Sequence, residues 1–377
     1  MIYLDYNATT PVDAEVAQTM LPFLTQYFGN PSSSHVLGRQ TKEALEHARL
    51  QIANMIGAKA QEIVFTSGGT ESNNYALRGV AFSQKHKGNH IITSSMEHPA
   101  ITQVCDYLAT QGFEISYLPV DQQGMVSVED LKNAITPKTI LVSIMHANNE
   151  VGSIQAIKEL AEVAKSKGIL FHSDAAQSIG KIKSQVQEMG VDLMSIAGHK
   201  LYAPKGIGAL YVKEGVVLEK LIHGANHENN QRAGTENVLE IVGFGKAAEL
   251  ISENLEEYQN HYAQNRDLLW QMLQERWPQL KRNADPEKVL PNTLSVSFPN
   301  LEANVFLHQL KGVAASAGAA CHTDSISISS VLEAMKLPLE YAMGTVRFST
   351  GRGTKPQDIR NAVLEIERVL KLMNWGR

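Results

Sequence analysis

The sequence predicts an α/β protein built on a largely parallel sheet, with a smaller α+β region after it. From about residue 60 to 215, apolar β-rich runs alternate with segments of helical spacing, which is typical of consecutive β-α-β units. A nearly unbroken helical pattern then covers 236–276, and strand-like alternation follows it. These observations predict a large domain and, in the C-terminal tail, a small one.

The individual elements follow from local patterns. Four runs rich in β-branched and apolar residues are predicted strands: 62–66, 91–93, 139–145 and 169–172. Four segments with helical spacing are predicted helices: 70–82, 98–111, 127–135 and 156–167. In the tail, Trp277 and Pro278 stop the long helix, 293–298 and 345–349 alternate like strands, and Pro356 opens a terminal helix. Such parallel sheets place ligand sites at the carboxyl ends of their strands.

Composition narrows the function classes. The chain has 377 residues, 43% of them hydrophobic, which is enough for a large core without disulfide support. The net charge is −5 and no lysine or arginine run exceeds two residues, which argues against nucleic acid as a partner. Two cysteines form no disulfide framework, and no run approaches the roughly 20 apolar residues of a membrane span. We therefore expect a cytoplasmic protein with no membrane partner.

Cys321 and Lys200 are the candidate reacting groups. Cys321 lies in 315–324, a run of small residues that leaves a thiol uncrowded. Lys200 follows the short predicted strand 192–194, and a lysine at a strand end can bond a carbonyl cofactor if burial or nearby cations lower its pKa. Most lysines are simply solvated. Lys200 is therefore a candidate cofactor ligand only if other motifs of the sequence also indicate a cofactor site. A lysine for a carbonyl cofactor and a thiol for the substrate indicate a sulfur-handling enzyme.

Two strand-to-helix junctions supply those signals. The segment 66–74 contains Gly68 and Gly69 and opens a helix, so its backbone N–H groups can seat a phosphate; an ordinary capped turn fits it equally well. After another strand, Asp174 can pair with a ring nitrogen and Gln177 can donate to a ring oxygen. A carboxylate on a pyridinium lets the ring act as an electron sink. Taken alone, Asp174 is better explained as a helix cap.

The motifs match, in order and over nearly the whole chain, the class V aminotransferase-like family of pyridoxal phosphate enzymes. More narrowly, the chain resembles the NifS/IscS-type cysteine desulfurases and the related selenocysteine lyases. The resemblance implies fold type I, with a mostly parallel, seven-stranded type of sheet between helices and a small α+β domain. On this pattern we expect a large domain over 14–250 and a small domain formed by 1–13 and 251–377. The matching segments are 3–11, 28–35, 66–74, 97–98, 148–150, 174–177, 199–200, 232–235 and 347–349.

The resemblance implies a site for pyridoxal 5'-phosphate and no metal. Lys200 would bond the cofactor, Asp174 would pair with its pyridine nitrogen, and Gln177 would contact the ring hydroxyl. His98 would stack on the ring and move protons; without the resemblance, this histidine is better explained as a structural residue.

The resemblance also implies how the phosphate is held. The backbone at Gly69 and the side chains of Thr70 and His199 would bind it. Thr235 would add a contact across a homodimer interface, so that a second copy of the chain completes the site.

The resemblance further implies the substrate contacts. Asn148 and Arg347 would hold the substrate carboxylate, Arg347 through a two-pronged pair. Cys321 would attack the substrate sulfur and carry it as a persulfide. The 26 residues from Cys321 to Arg347 resemble the long-loop subgroup, in which the cysteine moves between sites. Cys105, which shares a predicted helix face with apolar residues, is predicted to be a core residue.

Three segments depart from the family pattern. Ala197 stands where many members carry a phosphate-binding serine, and 223–228 lacks the usual glycine-rich run. The residues around Cys321 look more like selenocysteine lyases, whereas Pro99 after His98 does not. The predicted function is cysteine desulfuration, with a sulfur acceptor such as an Fe–S scaffold protein in cluster assembly, or in tRNA thiolation. The alternatives are a selenocysteine lyase and a non-catalytic thiol carrier that binds the cofactor.

Overall fold

The computed structural model describes residues 1–322 and 325–375, with the backbone alone for 319–322 and 325–327. Its strands are β1 (Ile2–Tyr3), β2 (Ile63–Thr66), β3 (His90–Ser94), β4 (Glu114–Leu118), β5 (Thr139–Ser143), β6 (Leu170–Asp174), β7 (Leu193–Ala197), β8 (Gly208–Val212), β9 (Lys281–Arg282), β10 (Thr293–Ser297), β11 (Val313–Ala314), β12 (Ser316–Ala317), β13 (Ala319–His322), β14 (Ser325–Ile328) and β15 (Thr345–Ser349). Its α-helices are α1 (Ala14–Met20), α2 (Pro22–Thr25), α3 (Val36–Ile56), α4 (Gly69–Ser83), α5 (Pro99–Thr110), α6 (Val128–Ala134), α7 (Ile157–Ser166), α8 (Val186–Met189), α9 (Val238–Arg276), α10 (Ala303–Gln309), α11 (Ser330–Ala334), α12 (Leu339–Ala342) and α13 (Pro356–Leu372).

Within the described residues, the central sheet has seven strands in the order β2-β8-β7-β6-β5-β3-β4. The strands are parallel except for β8, which runs antiparallel to both of its neighbours. The predicted mostly parallel α/β sheet is therefore confirmed. Its carboxyl ends at β5, β6 and β7 point toward the site described below.

Helices cover both faces of this sheet because its strands are apolar on both sides. On β2, Ile63 and Phe65 pack into the cluster formed with α3, α7 and the first half of α9, whereas Val64 packs with α4 and α5 on the opposite face. Cys105 on α5 is fully buried in the second cluster, which confirms that it is a core residue. Two buried layers thus hold the strand ends rigidly.

The C-terminal region forms a second, antiparallel sheet in the order β12-β15-β10-β9, packed on α13 and the end of α9. Beside this sheet, β1 pairs with β11 in a separate two-stranded sheet, and Leu4 packs into the same core as the four-stranded sheet. The predicted division into a large and a small domain stays a prediction. The proposed boundary at 250/251 falls inside α9 and stays a prediction.

The 39-residue helix α9 connects the two cores. Ile241 and Ile251 pack in the first core, and Leu269 and Leu273 pack in the second. Over the described ranges, neither α9 nor any other helix has the length and the apolar character needed to cross a membrane. The cytoplasmic location stays a prediction.

Candidate active site

A cavity of about 390 Å³ opens at the carboxyl ends of β5, β6 and β7, beside the first turns of α4 and α5. Its size is in the range of small-molecule sites, and its position is the one expected for an open α/β sheet. It is lined by Asn7, Ala8, Gly69, Thr70, Asn73, His98, Ala100, Met145, Ala147, Asn149, Asp174, Ala176, Gln177, Ala197, His199, Lys200 and Arg347. Eight predicted site residues share this cavity: Gly69, Thr70, His98, Asp174, Gln177, His199, Lys200 and Arg347.

Lys200 ends the short 3-10 turn Gly198–Lys200 that follows β7. Its Nζ donates to the carbonyl oxygens of Asn7 at 2.6 Å and Ala8 at 2.8 Å. Burial, and then the Arg347 cation, lowers the pKa of Lys200 to about 8, against the opposing effect of the Asp174 carboxylate. Part of the lysine is therefore a neutral amine near neutral pH, which is the nucleophilic form.

Asp174 is the last residue of β6 and is buried at the cavity wall. Its Oδ1 accepts from the backbone N–H of Ala176 at 2.9 Å, which is the cap-like contact that the sequence favoured. Its Oδ2 accepts from Asn73 Nδ2 at 2.6 Å. Two donors thus fix the orientation of the carboxylate. The Oδ1 of Asn73 is buried and has no partner among the described residues, which leaves acceptor capacity beside the carboxylate.

Gln177 is held at both ends of its amide. Its Nε2 donates to the carbonyl oxygen of Asn7 at 3.0 Å, and its Oε1 accepts from Lys181 Nζ at 2.7 Å. Gln177 and Asn7 line the cavity, whereas Lys181 lies outside the lining. The amide nitrogen shares the Asn7 carbonyl oxygen with Lys200 Nζ, so it is the end of the amide on the Lys200 side of the cavity.

Two histidines face the cavity in neutral form. The Nδ1 of His98 accepts from the N–H of Ala100 at 3.1 Å at the start of α5, so the ring proton belongs on Nε2. Desolvation lowers the pKa of His98, and the Lys200 cation lowers it further. The Nδ1 of His199 lies 3.1 Å from Thr9 Oγ1, and burial with the Lys200 cation lowers the pKa of His199 to about 4.

The start of α4 is the place where the sequence predicts an anion seat, and it borders the cavity. The first N–H groups of a helix lack intrahelical acceptors, and Gly69 and Thr70 present this end of α4 to the cavity. A Cβ added at Gly69 would lie 3.2 Å from the Cβ of Ala197, tighter than ordinary van der Waals contact. Ala197 itself lines the cavity with a methyl group where the family pattern predicts a serine.

Arg347 reaches the cavity from β15 of the second sheet. Its Nη1 donates to the Asn149 carbonyl oxygen at 2.8 Å, and its Nη2 donates to Asp5 Oδ1 at 2.7 Å and Ser316 Oγ at 2.9 Å. Its buried Nε has no partner among the described residues. The guanidinium is thus held in a fixed position, and its Nε–H remains as a donor. This arrangement suits a carboxylate ligand.

Asn148 does not line the cavity, and its neighbour Asn149 takes that place. The Asn148 side chain is fully buried, where its Oδ1 accepts from the N–H groups of Glu150 at 2.8 Å and Val151 at 2.9 Å. Its Nδ2 donates to the Met96 carbonyl oxygen at 3.2 Å. The structure thus does not place Asn148 where the sequence predicted it, because its amide is already engaged in the turn, and Asn149 lines the cavity instead.

Of the other two predicted site residues, Thr235 does not line the cavity. Thr235 borders a separate depression with Ser67 and Gly206. Cys321 lies on β13, opposite Ile326 of β14, and its side chain lies outside what the structure describes. The roles predicted for Thr235 and Cys321 stay predictions.

Sequence reasoning gave no individual role to four residues that shape the site: Asn7, Asn73, Asn149 and Lys181. Asn73 follows Gly69 by four residues, so helical spacing could have placed it on the same face of α4. Lys181 follows Gln177 by four residues and is 4% exposed. The sequence signal for Lys181 was a lysine within a stretch of mostly small and apolar residues.

Comparison with known proteins agrees with this geometry. The class-V aminotransferase family model matches residues 2–361. Cysteine desulfurase IscS of Dictyoglomus turgidum is 48% identical, over 98% of this chain and 94% of that protein. A solved NifS-like protein has a TM-score of 0.93 at 36% identity, covering 98% of this chain and 99% of its own. A solved SspA in complex with cysteine has a TM-score of 0.82 at 36% identity, covering 93% and 99%. The chain belongs to the class-V aminotransferase family, within its cysteine desulfurase branch, a group of pyridoxal phosphate enzymes.

Proposed function

We propose that this protein converts L-cysteine to L-alanine with pyridoxal 5'-phosphate and receives the sulfur on Cys321. The observation that carries the proposal is one cavity in which Lys200, from the turn after β7, meets Asp174 of β6 and Arg347 of β15. These residues supply an amine of lowered pKa, an oriented carboxylate and a fixed guanidinium. The full-length relative named above is a cysteine desulfurase, and one solved relative holds cysteine.

The residues of the cavity fit pyridoxal 5'-phosphate. Lys200 would hold its carbonyl carbon, Asp174 would pair with the ring nitrogen, and Thr70, His199 and the N–H groups at Gly69 would hold the phosphate. The glycine leaves room where a Cβ would crowd Ala197, which supports close approach of an anion to the backbone. When bound, this cofactor withdraws electrons from the α-carbon of an amino acid.

The chain's own residues would orient the substrate and move its protons. Arg347, with Asn149 beside it, would hold the α-carboxylate, so that the α-carbon lies near Lys200. Because the pKa of Lys200 is about 8, its Nζ can take up and release a proton near neutral pH. The Nε2–H of His98 faces the same space and is the second proton donor that we propose.

Sulfur transfer would occur at Cys321. Its thiolate forms an S–S bond with the substrate sulfur while the sulfur–carbon bond breaks; the electron pair stays on carbon, which is protonated to give alanine. The short chain distance between Cys321 and the proposed carboxylate ligand supports this step. Ser316 pairs with Arg347, and Cys321 follows Ser316 by five residues. Five extended residues span at most about 17 Å.

A second copy of the chain and a sulfur-acceptor protein are the proposed partners. The support for a homodimer is a set of exposed apolar side chains within 21–37, a feature typical of protein interfaces. These side chains are Leu21, Leu24, Tyr27, Phe28, Val36 and Leu37. The acceptor, such as an Fe–S scaffold protein, would take the sulfur from the Cys321 persulfide.

The test is sulfur labelling of single-cysteine variants. Cys321→Ser is expected to keep the cofactor's yellow colour and to hold no protein-bound label after treatment with ³⁵S-labelled L-cysteine without reductant. Cys105→Ala is the matched control, since Cys105 is a buried core residue, and it should be labelled like the wild type. Full desulfurase turnover by Cys321→Ser would contradict the proposal.

A further inference from the structure

Lys181 is a buried lysine that the proposed chemistry does not use. Its Nζ donates to Gln177 Oε1 at 2.7 Å and to Asn7 Oδ1 at 2.9 Å. Among the described residues, no carboxylate forms an ion pair with it. Burial lowers the pKa of Lys181 well below its ordinary value, and the Lys200 and Arg347 cations lower it further.

These contacts decide which way the amide of Gln177 points. In the observed orientation, Oε1 meets a donor of Lys181 and Nε2 meets the carbonyl oxygen of Asn7. A flipped amide would place its NH₂ group against the Lys181 donors and its oxygen against the Asn7 oxygen. Both hydrogen bonds would be lost in a buried place, where water cannot replace them, so the observed orientation is strongly favoured.

We propose that Lys181 is a positioning residue that keeps the amide nitrogen of Gln177 directed toward the cavity. Nε2 has two N–H groups, and Asn7 takes one of them. The second remains for an oxygen of a ligand in the cavity. The inference rests on the proposed function, because that ligand oxygen is the ring oxygen of the bound cofactor, which a donor stabilises in its anionic form.

Asn7 links this arrangement to the second sheet. The Oδ1 atom that accepts from Lys181 also accepts from Asn292 Nδ2 at 2.9 Å, and Asn7 Nδ2 donates to Thr293 Oγ1 at 2.9 Å. Lys181 is therefore held from both sides, by Gln177 of the large domain and by the N-terminal segment seated on the small one. A rigid anchor of this kind is what orients a site residue reliably.

The test is a pH titration of the cofactor's visible absorption in the holoenzyme. Lys181→Met removes both donors at similar length, so the midpoint should rise by about 0.5–1 pH unit, since a lost donor of about 1 kcal/mol raises the pKa of the acceptor. Gln177→Ala should raise the midpoint similarly, and the double variant should rise no further. Lys183→Met is the matched control; Lys183 is 63% exposed and pairs with Glu188, so the midpoint should not move.

The outcomes separate this inference from simpler explanations. A lysine that acted on the site directly, as a charge beside Lys200, Asp174 and Arg347, would shift the midpoint to the same extent in the Gln177→Ala background, and such additivity would overturn the proposal. So would an unshifted midpoint in a Lys181→Met protein that carries normal cofactor. Lys181→Ala also lacks the lysine donor and is titrated in parallel. If only one of the two variants is soluble, its titration alone tests the proposal. A wild-type protein that takes up no cofactor would instead overturn the proposed function.

Discussion

The Nζ atom of Lys200 lies 2.6 Å from the carbonyl oxygen of Asn7, a residue 193 positions earlier in the chain. Gln177 Nε2 donates to the same oxygen, and the backbone N–H of Asn7 donates to Ser349 Oγ at 2.9 Å. The N-terminal segment thus forms one wall of the cavity and joins the two sheets there. The site is complete only when this segment is seated.

Asn7→Ala is expected to destabilise the fold. Its side chain makes hydrogen bonds in a buried place, and their loss leaves Lys181 and Asn292 with unmet donors. We expect a fall of about 2–4 kcal/mol in the free energy of unfolding, measured by denaturant titration. Asn54→Ala, at an exposed position of α3, is the matched control and should change it by less than about 0.5 kcal/mol. Equal effects of the two substitutions would refute this role of Asn7.

Arg347→Lys keeps the charge but loses the planar fork that matches a carboxylate. We expect kcat/KM for L-cysteine to fall about 10- to 100-fold, the range for losing a charge-assisted pair. Steady-state alanine formation measures it. Arg360→Lys, at an exposed position of α13, is the control and should leave kcat/KM unchanged. A comparable kcat/KM in both variants would argue against Arg347 as the carboxylate ligand.

Thr235→Ala should weaken retention of the cofactor if a partner chain supplies this hydroxyl to the phosphate. A hydrogen bond to a charged group is worth about 1.5–3 kcal/mol, so the dissociation constant should rise at least about tenfold. Equilibrium dialysis against pyridoxal 5'-phosphate gives the value, with the exposed Thr110→Ala as control. Unchanged affinity would count against the contact across the dimer.

Glu97→Gln should change how stability depends on pH. Burial, and then the Asp174 carboxylate, raises the pKa of Glu97 from 4.5 to about 8. Between these two values the folded protein keeps a proton that the unfolded chain loses, so the free energy of unfolding falls as pH rises, by at most about 1.4 kcal/mol per pH unit.

The glutamine variant removes this contribution while keeping an acceptor for the Met145 N–H and Ser94 hydroxyl that now bond Glu97 Oε1. Denaturant titrations at pH 5, 6, 7 and 8 should therefore show a flatter pH dependence for Glu97→Gln than for the wild type. Parallel curves would mean that Glu97 is ionised in the folded protein at neutral pH.

Much of the fold was predictable because the buried strands are continuous apolar runs. The predicted segments 139–145 and 293–298 correspond to β5 and β10, and the long helical pattern corresponds to α9. The edge strand β4 was missed because it is half-exposed and polar, so it lacks that signal. The strand β8 was missed for a different reason, since it begins with a glycine and follows Pro204 and Gly206, which are typical of a loop.

Site residues were predictable where a reactive side chain lies at or just after the end of a predicted strand. Lys200 and Asp174 follow strands, and parallel strands bring their carboxyl ends together. Sequence could not decide between Asn148 and Asn149, because the choice depends on which amide the turn engages. It also could not place Asn7 against Lys200, since that contact depends on the pairing of β1 with β11, which lies more than 300 residues away in the chain.

The most direct test of the account is anaerobic turnover of L-cysteine and L-selenocysteine by the same purified yellow protein, counting alanine with a reductant present. We predict alanine from L-cysteine at a rate comparable to or above that from L-selenocysteine. Turnover confined to L-selenocysteine would contradict a desulfurase and identify a lyase, in which Cys321 sets selectivity.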